Sequence, residues 1–230
     1  MAYVQYTLLP GGKDIRRFLW CLSILNYKNL GTSNIRNIII PSIMRMLKAE
    51  EFEDTFALTD IILCLWILNY RAYELIQNAL TKKTIQLIKA SKSPAKHSLN
   101  LLLSCIYFED KALYRQINIH VPENPKYDTK LEVKKALSAL KNFEKLETIN
   151  EIAGITGYRK GIYPSIYIEV LDDCTSLKNT DHEPIGLMQL KLRILQEMKE
   201  RLIVIQEKKI NLMNDDHLRS YLQDEINTKR

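Results

Sequence analysis

One seven-residue segment occurs twice in this chain. Cys21-Leu22-Ser23-Ile24-Leu25-Asn26-Tyr27 returns as Cys64-Leu65-Trp66-Ile67-Leu68-Asn69-Tyr70, identical at six of seven positions and 43 residues downstream. A period of that length belongs to two- or three-helix solenoid repeats, where each helical pair leaves an apolar side for its neighbour to cover. Between the copies, Ile35, Ile38, Ile39, Ile43, Met46 and Leu47 recur at helical spacing behind Ser33 or Asn34 as an N-cap. Tyr73 to Ala90 carries Leu75, Ile76, Leu80, Leu87 and Ile88 on a similar plan. After the Ser93-Pro94 break, Leu99, Leu102, Leu103, Ile106 and Tyr107 form the expected buried face of a further helix. Trp20 and Trp66, inside the repeat helices, read as core. Two copies are few for an isolated solenoid, so the expectation is either a C-terminal cap or further repeats ahead of Met1.

Composition removes several alternatives. With 46% hydrophobic and 26% charged residues the chain is not disordered, and 7 Gly and 7 Pro are too few for collagenous or low-complexity sequence. No stretch approaches the roughly 18 uncharged apolar residues of a spanning helix, so no membrane insertion is expected. The first residues lack a secretory or amphipathic presequence pattern. Cys21, Cys64, Cys105 and Cys174 lie far apart without a CxxC pair or neighbouring His, which reads as reduced, mostly buried thiols and sets zinc and disulfide frameworks aside.

Val121-Pro122-Glu123-Asn124-Pro125 is a breaker cluster and the expected boundary. The expected division is a helical repeat region over 1–122, a helical linker over 123–155 and a small α/β module over 156–230. Thr129 to Ile152 reads as one or two helices through Leu131, Val133, Leu137, Leu140, Phe143 and Leu146. Beyond Gly154 the pattern changes. Ser165 to Leu171 is β-branched and aromatic, hence a strand, and Gly186 opens a helix with Leu187, Leu190, Ile194, Leu195 and Met198. Leu202 to Ile205 is a second strand, and Asn214 or Asp215 caps a last helix.

The excess positive charge is confined to the first half. Residues 1–122 hold 15 Lys/Arg against 9 Asp/Glu, residues 123–155 balance at 6 and 6, and residues 156–230 balance at 12 and 12. Its densest part contains Lys82, Lys83, Lys89, Lys92 and Lys96 with no acid among them. Such a stripe is either a solvated helix face or a phosphate-tracking surface. Tyr27 and Tyr70 end the two repeat copies, next to Lys28 and Arg71. An aromatic beside a cation could stack a base and hold its phosphate, or form a snorkelling surface pair.

The repeat segment with Trp20, and its copy, resemble the leucine/tryptophan repeat of the FAST-kinase-domain-containing family. Ile185-Gly186-Leu187-Met188-Gln189-Leu190-Lys191-Leu192-Arg193-Ile194-Leu195, followed by Arg201-Leu202-Ile203-Val204-Ile205, is similar to the RAP domain that ends those proteins. Leu103 to Pro122 resembles the family's link between the two. The resemblance covers most of the chain and implies a mostly α fold: HEAT/armadillo-like helical repeats followed by a small, restriction-endonuclease-like α/β RAP module. It further implies an RNA-binding protein of mitochondrial RNA metabolism that controls the stability or processing of organellar transcripts, with single-stranded RNA and other RNA-processing proteins as partners. Departures are present. Lys199-Glu200 replaces the family's glycine-tyrosine pair, Gln206 to Ile210 replaces an aromatic-acidic-Trp segment, and only one acidic strand segment precedes the Gly186 helix. No glycine-rich phosphate loop, Val-Ala-Ile-Lys analogue or Asp-Phe-Gly occurs, so kinase chemistry has no residues to run on.

The expected RNA contacts are Lys28, Arg71, Lys82, Lys83, Lys89 and Lys96, with Lys191 as a point charge outside its helix's apolar stripe. The restriction-endonuclease likeness implies two acids and a lysine around Mg²⁺, for which Glu169, Asp172, Asp173 and Lys191 are available. The usual acid-x-Lys triplet is absent, since Val170 and Leu171 follow Glu169. Binding without cleavage, and no resident cofactor, is therefore the expectation, with a metal-dependent endoribonuclease and a helical protein-interaction scaffold as rivals.

Overall fold

The computed structural model describes residues 11–27, 34–48, 55–117, 145–149, 155–159, 166–178, 180, 182–197 and 201–228. The protein is mostly α and divides into two compact units, Met1–Leu103 with Leu113–Ile119, and Ser104–Ala112 with His120–Arg230. In the first unit come α1 (Gly12–Ile24), a π-helical turn (Ile35–Ile39) running into α2 (Ile40–Lys48), α3 (Thr55–Ile67), α4 (Tyr73–Ala79), α5 (Lys82–Ala90) and the start of α6 (Ala95–Glu109). Helix α7 (Lys111–Ile117) follows.

The repeated motif is a helix stop. Asn26 and Asn69 both take the left-handed conformation, with φ of 50° and 61°. Past α3, Tyr70 N donates to Leu65 O at 2.8 Å and Asn69 N to Trp66 O at 3.0 Å. Past α1, Tyr27 N donates to Leu22 O at 3.0 Å and Asn26 N to Ser23 O at 3.2 Å. These paired bonds close the last carbonyls of each helix, and they require a residue tolerant of positive φ at the asparagine position. The shared Leu-x-x-x-Asn-Tyr pattern thus carries a specific backbone task.

Helices α1 and α3, the two repeat helices, pack against each other. Helix α1 buries Ile15, Leu19 and Ser23, one face at steps of four, while α3 is apolar on nearly every side and buries Leu58 and every residue from Ile61 to Ile67. The one position that differs between the copies, Ser23 against Trp66, is buried in both. Ser23 hydrogen-bonds the Cys64 thiol, whose burial pushes it up to about 11, so Cys64 stays neutral. An Arg16–Asp60 ion pair ties the two helices at their polar margin.

Several expectations need correction. Trp20 is 42% exposed, because it stands one residue off the Leu19 face and so points roughly 100° away from it. Cys21 is likewise exposed, whereas Cys64 and Cys105 are buried and all four cysteines are free thiols. Leu87 and Tyr107 lie outside the buried faces of their helices. Tyr73 to Ala90 is two helices. Thr81 ends the first stretch and caps the next, its Oγ1 accepting from Thr84 N at 3.2 Å. Asn34 makes no side-chain cap.

The second unit contains a four-stranded sheet of β1 (Lys145–Ile149), β2 (Ile155–Arg159), β3 (Ile166–Leu171) and β4 (Arg201–Gln206), in that order. The β1–β2 and β2–β3 pairs are antiparallel, and β3–β4 is parallel with Glu169 opposite Val204. Helix α8 (Gly186–Glu197) makes the crossover between the parallel strands, which cannot be joined by a tight turn. Helices α9 (Glu207–Leu212) and α10 (Asp215–Thr228) follow. The β3, β4, α8 and α10 segments match the expected strand, helix, strand, helix order. Lys145–Ile149, expected as helix, is a strand: apolar spacing over so short a run does not separate the two periods. Residues 129–144 and the breaker cluster at 121–125 lie outside the described residues.

On one side of the sheet, alternate residues Ile168, Val170, Ile203 and Ile205 pack with Ile210, Leu218, Leu222 and Ile226 from α9 and α10. Asn214 caps α10, its Oδ1 accepting from His217 N at 2.9 Å. Among the described residues no helix is long and apolar enough to cross a membrane.

The helix stop is directly testable. Asn69→Val should lower unfolding stability by about 1–2 kcal/mol, because a β-branched residue resists the left-handed conformation, while Asn69→Gly should leave it nearly unchanged. Urea midpoints of the two variants measure the difference, and equal losses would rule out a conformational role.

Candidate functional site

Two places bring together a few of the residues that the sequence singles out, Tyr70 and Arg71 in the helical unit and Glu169 and Lys191 in the α/β unit. In the helical unit, a cleft of about 700 Å³ lies between the Ile35–Lys48 helical segment and the chain that leaves α3. One wall presents Arg36, Ile40, Pro41, Met44, Arg45 and Lys48. Those positions fall at steps of four, one, three, one and three, a single helical face, while Ile35, Ile43 and Met46 are buried in the core. The other wall is Tyr70 to Leu75.

Local sequence explains both walls. Pro41 sits inside a continuous helical stretch, where it lacks an N–H and its ring crowds the carbonyl four residues back. The chain answers with the wider π turn, Ile40 N donating to Ile35 O, and Ser42 Oγ donates to Ile38 O at 2.7 Å. On the facing wall, the left-handed Asn69 ends α3 and releases Tyr70 and Arg71. Arg71 is then fixed back onto α3. Its guanidinium lies 3.9 Å from the centroid of the Trp66 ring, and Nη1 donates to Trp66 O at 3.4 Å.

Four cations line this cleft, Arg36, Arg45, Lys48 and Arg71, against one carboxylate, Glu74, with Tyr70 and Tyr73 as aromatic faces. Among the described residues, no acid forms an ion pair with Arg36, Arg45 or Lys48. Such a concave, cationic and aromatic surface suits an anion attached to a flat ring. Of the expected RNA contacts, only Arg71 lines it. Lys82, Lys83 and Lys96 are exposed on α5 and α6, with Lys89 half-buried, and Lys28 lies outside the described residues. Arg36, Arg45 and Lys48 are legible as a helical face in the sequence, but the isoleucines among them hide it.

In the α/β unit, Glu169 and Lys191 meet. Glu169 projects from β3 on the side opposite Ile168 and Val170, 4% exposed, and Lys191 reaches it from α8 with Nζ 2.6 Å from Oε1. Two residues further along α8, Arg193 Nε and Nη2 hold the two oxygens of Glu109 at the end of α6. Asp172 does not join them. Its Oδ1 accepts from Cys174 N at 3.0 Å, Thr175 N at 2.8 Å and Thr175 Oγ1 at 2.7 Å, closing the loop after β3. Asp173 is exposed.

This placement corrects the role expected for Lys191. A lysine whose side chain is 15% exposed and bonded to a buried carboxylate is not a point charge offered to RNA. The carboxylates also do not fit a divalent ion. Glu169 is neutralised by a lysine, and the Asp172 carboxylate serves backbone donors, so neither oxygen set is shared with the other. Among the described residues no group of three or more His, Cys, Asp or Glu is arranged to hold a metal.

No protein-family profile matches the chain. A search of curated proteins likewise finds no match.

Removing one member of the buried pair should be far more damaging than removing both. Lys191→Met leaves Glu169 buried with its charge uncompensated and should cost about 3–5 kcal/mol, while the Glu169→Met/Lys191→Met double variant should recover most of that. Chemical denaturation of both variants measures the coupling, and a double variant no more stable than the single one would contradict it.

Proposed function

We propose that the chain is a single-stranded RNA-binding protein whose helical unit makes the contacts. The cleft carries this reading: four cations and two tyrosines line one concave surface, one wall of which is the chain at the end of the second repeat copy. Phosphates supply the negative charge that such a surface lacks, and unpaired bases supply rings to stack on tyrosine. Exposed Lys82, Lys83 and Lys96 extend the positive character of the same unit. The α/β unit balances its charge and spends its central lysine on an internal pair, which supports a structural or RNA-positioning role there and no cleavage. That the RNA is an organellar transcript, and that the protein works in mitochondria on transcript stability or processing, rests on the family resemblance.

A second reading, a helical protein-interaction scaffold, is favoured by the large apolar side chains left exposed on α1 and just past its end, Phe18, Trp20 and Leu25 at 51%, 42% and 55%. The two readings separate in one experiment. Filter binding to unstructured RNA at two ionic strengths should show affinity falling steeply with salt. Lys82→Ala/Lys83→Ala should weaken binding and flatten the log–log slope by about 0.7 for each phosphate that is no longer neutralised. Salt-insensitive binding, or none, would remove the RNA reading and favour the scaffold.

A further inference from the structure

The cleft is more selective in its charge than a surface that tracks an RNA backbone needs to be. A phosphodiester carries one negative charge, and a strand passing over a basic face meets its cations one phosphate at a time. Here Arg45 and Lys48, about one helical turn apart, line one cavity, with Arg36 further back along the same face and Arg71 on the opposite wall. A terminal phosphate carries about −1.5 to −2 at neutral pH and presents three acceptor oxygens, which arginine forks meet two at a time. The space also matters. About 700 Å³ lies within the range of small-molecule pockets and exceeds what a lone phosphate would fill.

We propose that this cleft is a pocket for a nucleotide bearing a phosphomonoester, either a free nucleoside monophosphate or the phosphorylated end of an RNA strand. The phosphate lies between Arg45 and Lys48, and the base packs against Tyr70 or Tyr73. Glu74, an acceptor without protons of its own, suits the hydroxyl donors of ribose. Arg71 is held in place by Trp66 before any ligand arrives, so little side-chain freedom is lost when the anion binds. This inference rests on the RNA reading for the second source of the ligand and is independent of it for the first.

The test uses the full chain and fluorescence anisotropy. A short unstructured RNA, labelled internally, is offered with a 5′-phosphate, with a 3′-phosphate or with hydroxyls at both ends, and adenosine monophosphate and adenosine serve as competitors. One phosphorylated end should bind at least about tenfold tighter than the hydroxyl-ended RNA, the effect of one to two added charge-assisted hydrogen bonds. The preference should vanish in Arg45→Gln/Lys48→Gln, whose exposed positions leave folding intact, as an unchanged urea midpoint would verify. Displacement by adenosine monophosphate and not by adenosine marks the free nucleotide as a ligand. End preference without such displacement marks the RNA end. Equal affinity for all three RNAs without competition overturns the pocket and leaves RNA binding standing. Direct binding of adenosine monophosphate by isothermal titration calorimetry, lost in the variant, with no RNA affinity overturns the RNA reading and leaves the pocket standing. A preference that survives the double variant also overturns the pocket.

Discussion

The left-handed backbone at Asn69 is the constraint on which the helical unit depends. Helix α3 is buried on nearly every side, so it must end within the core and send the chain out again without leaving bare carbonyls behind. The Tyr70 and Asn69 N–H groups close those carbonyls, and the same turn brings Tyr70 and Arg71 to the cleft wall. Arg71 then folds back onto Trp66, so one motif stops the helix, seals it and sets out an aromatic and a cation. The opposing wall has its own device. Pro41 forces a π turn that contains Arg36, while Arg45 and Lys48 lie in the α-helix after it, yet all three line the same cavity.

In the α/β unit the corresponding constraint is strand alternation. Ile168 and Val170 fill the core beneath α9 and α10, which turns the residue between them toward the other side of the sheet. That residue is Glu169, and its buried carboxylate demands a cation. Lys191 supplies it from α8, the helix that the parallel crossover requires. Two residues on, Arg193 engages Glu109, so α8 is tied by charge to β3 and to the end of α6. A lysine and a glutamate that suggest nuclease chemistry in the linear sequence are, in space, a fixing point for a helix. Asp172 is absorbed by the turn after β3.

How much of this is legible in the sequence varies with the physical signal. Helix α8 and strands β3 and β4 follow from apolar periodicity and β-branched runs, and the Asn214 cap from residue type. The repeat marks the positions of α1 and α3, though not the reason for its Asn-Tyr ending, which lies in hydrogen bonds between backbone groups. Trp20 reads as core in the sequence because hydrophobicity does not fix azimuth: only the set Ile15, Leu19 and Ser23 does, and it includes a serine. Strand β1 hides within a spacing that also fits a helix. At the site, Arg71 is visible as a neighbour of the repeated tyrosine. Arg36, Arg45 and Lys48 lie nine and three residues apart, and become a cluster only when their helix is placed opposite the Tyr70 turn. Lys191 misleads for a complementary reason. A polar residue beside an apolar stripe is free in sequence, and only the sheet reveals the carboxylate waiting for it.

At the centre stands the claim that RNA meets the helical unit at the wall built by the second repeat stop. Crosslinking with RNA containing 4-thiouridine, followed by mass spectrometry of the modified peptides, locates the contact without altering the protein. Crosslinks are expected on the peptide containing Tyr70 and Tyr73, suppressed by excess unlabelled RNA and by high salt. Crosslinks confined to residues 145–228, or none above a protein-free background, would contradict the claim.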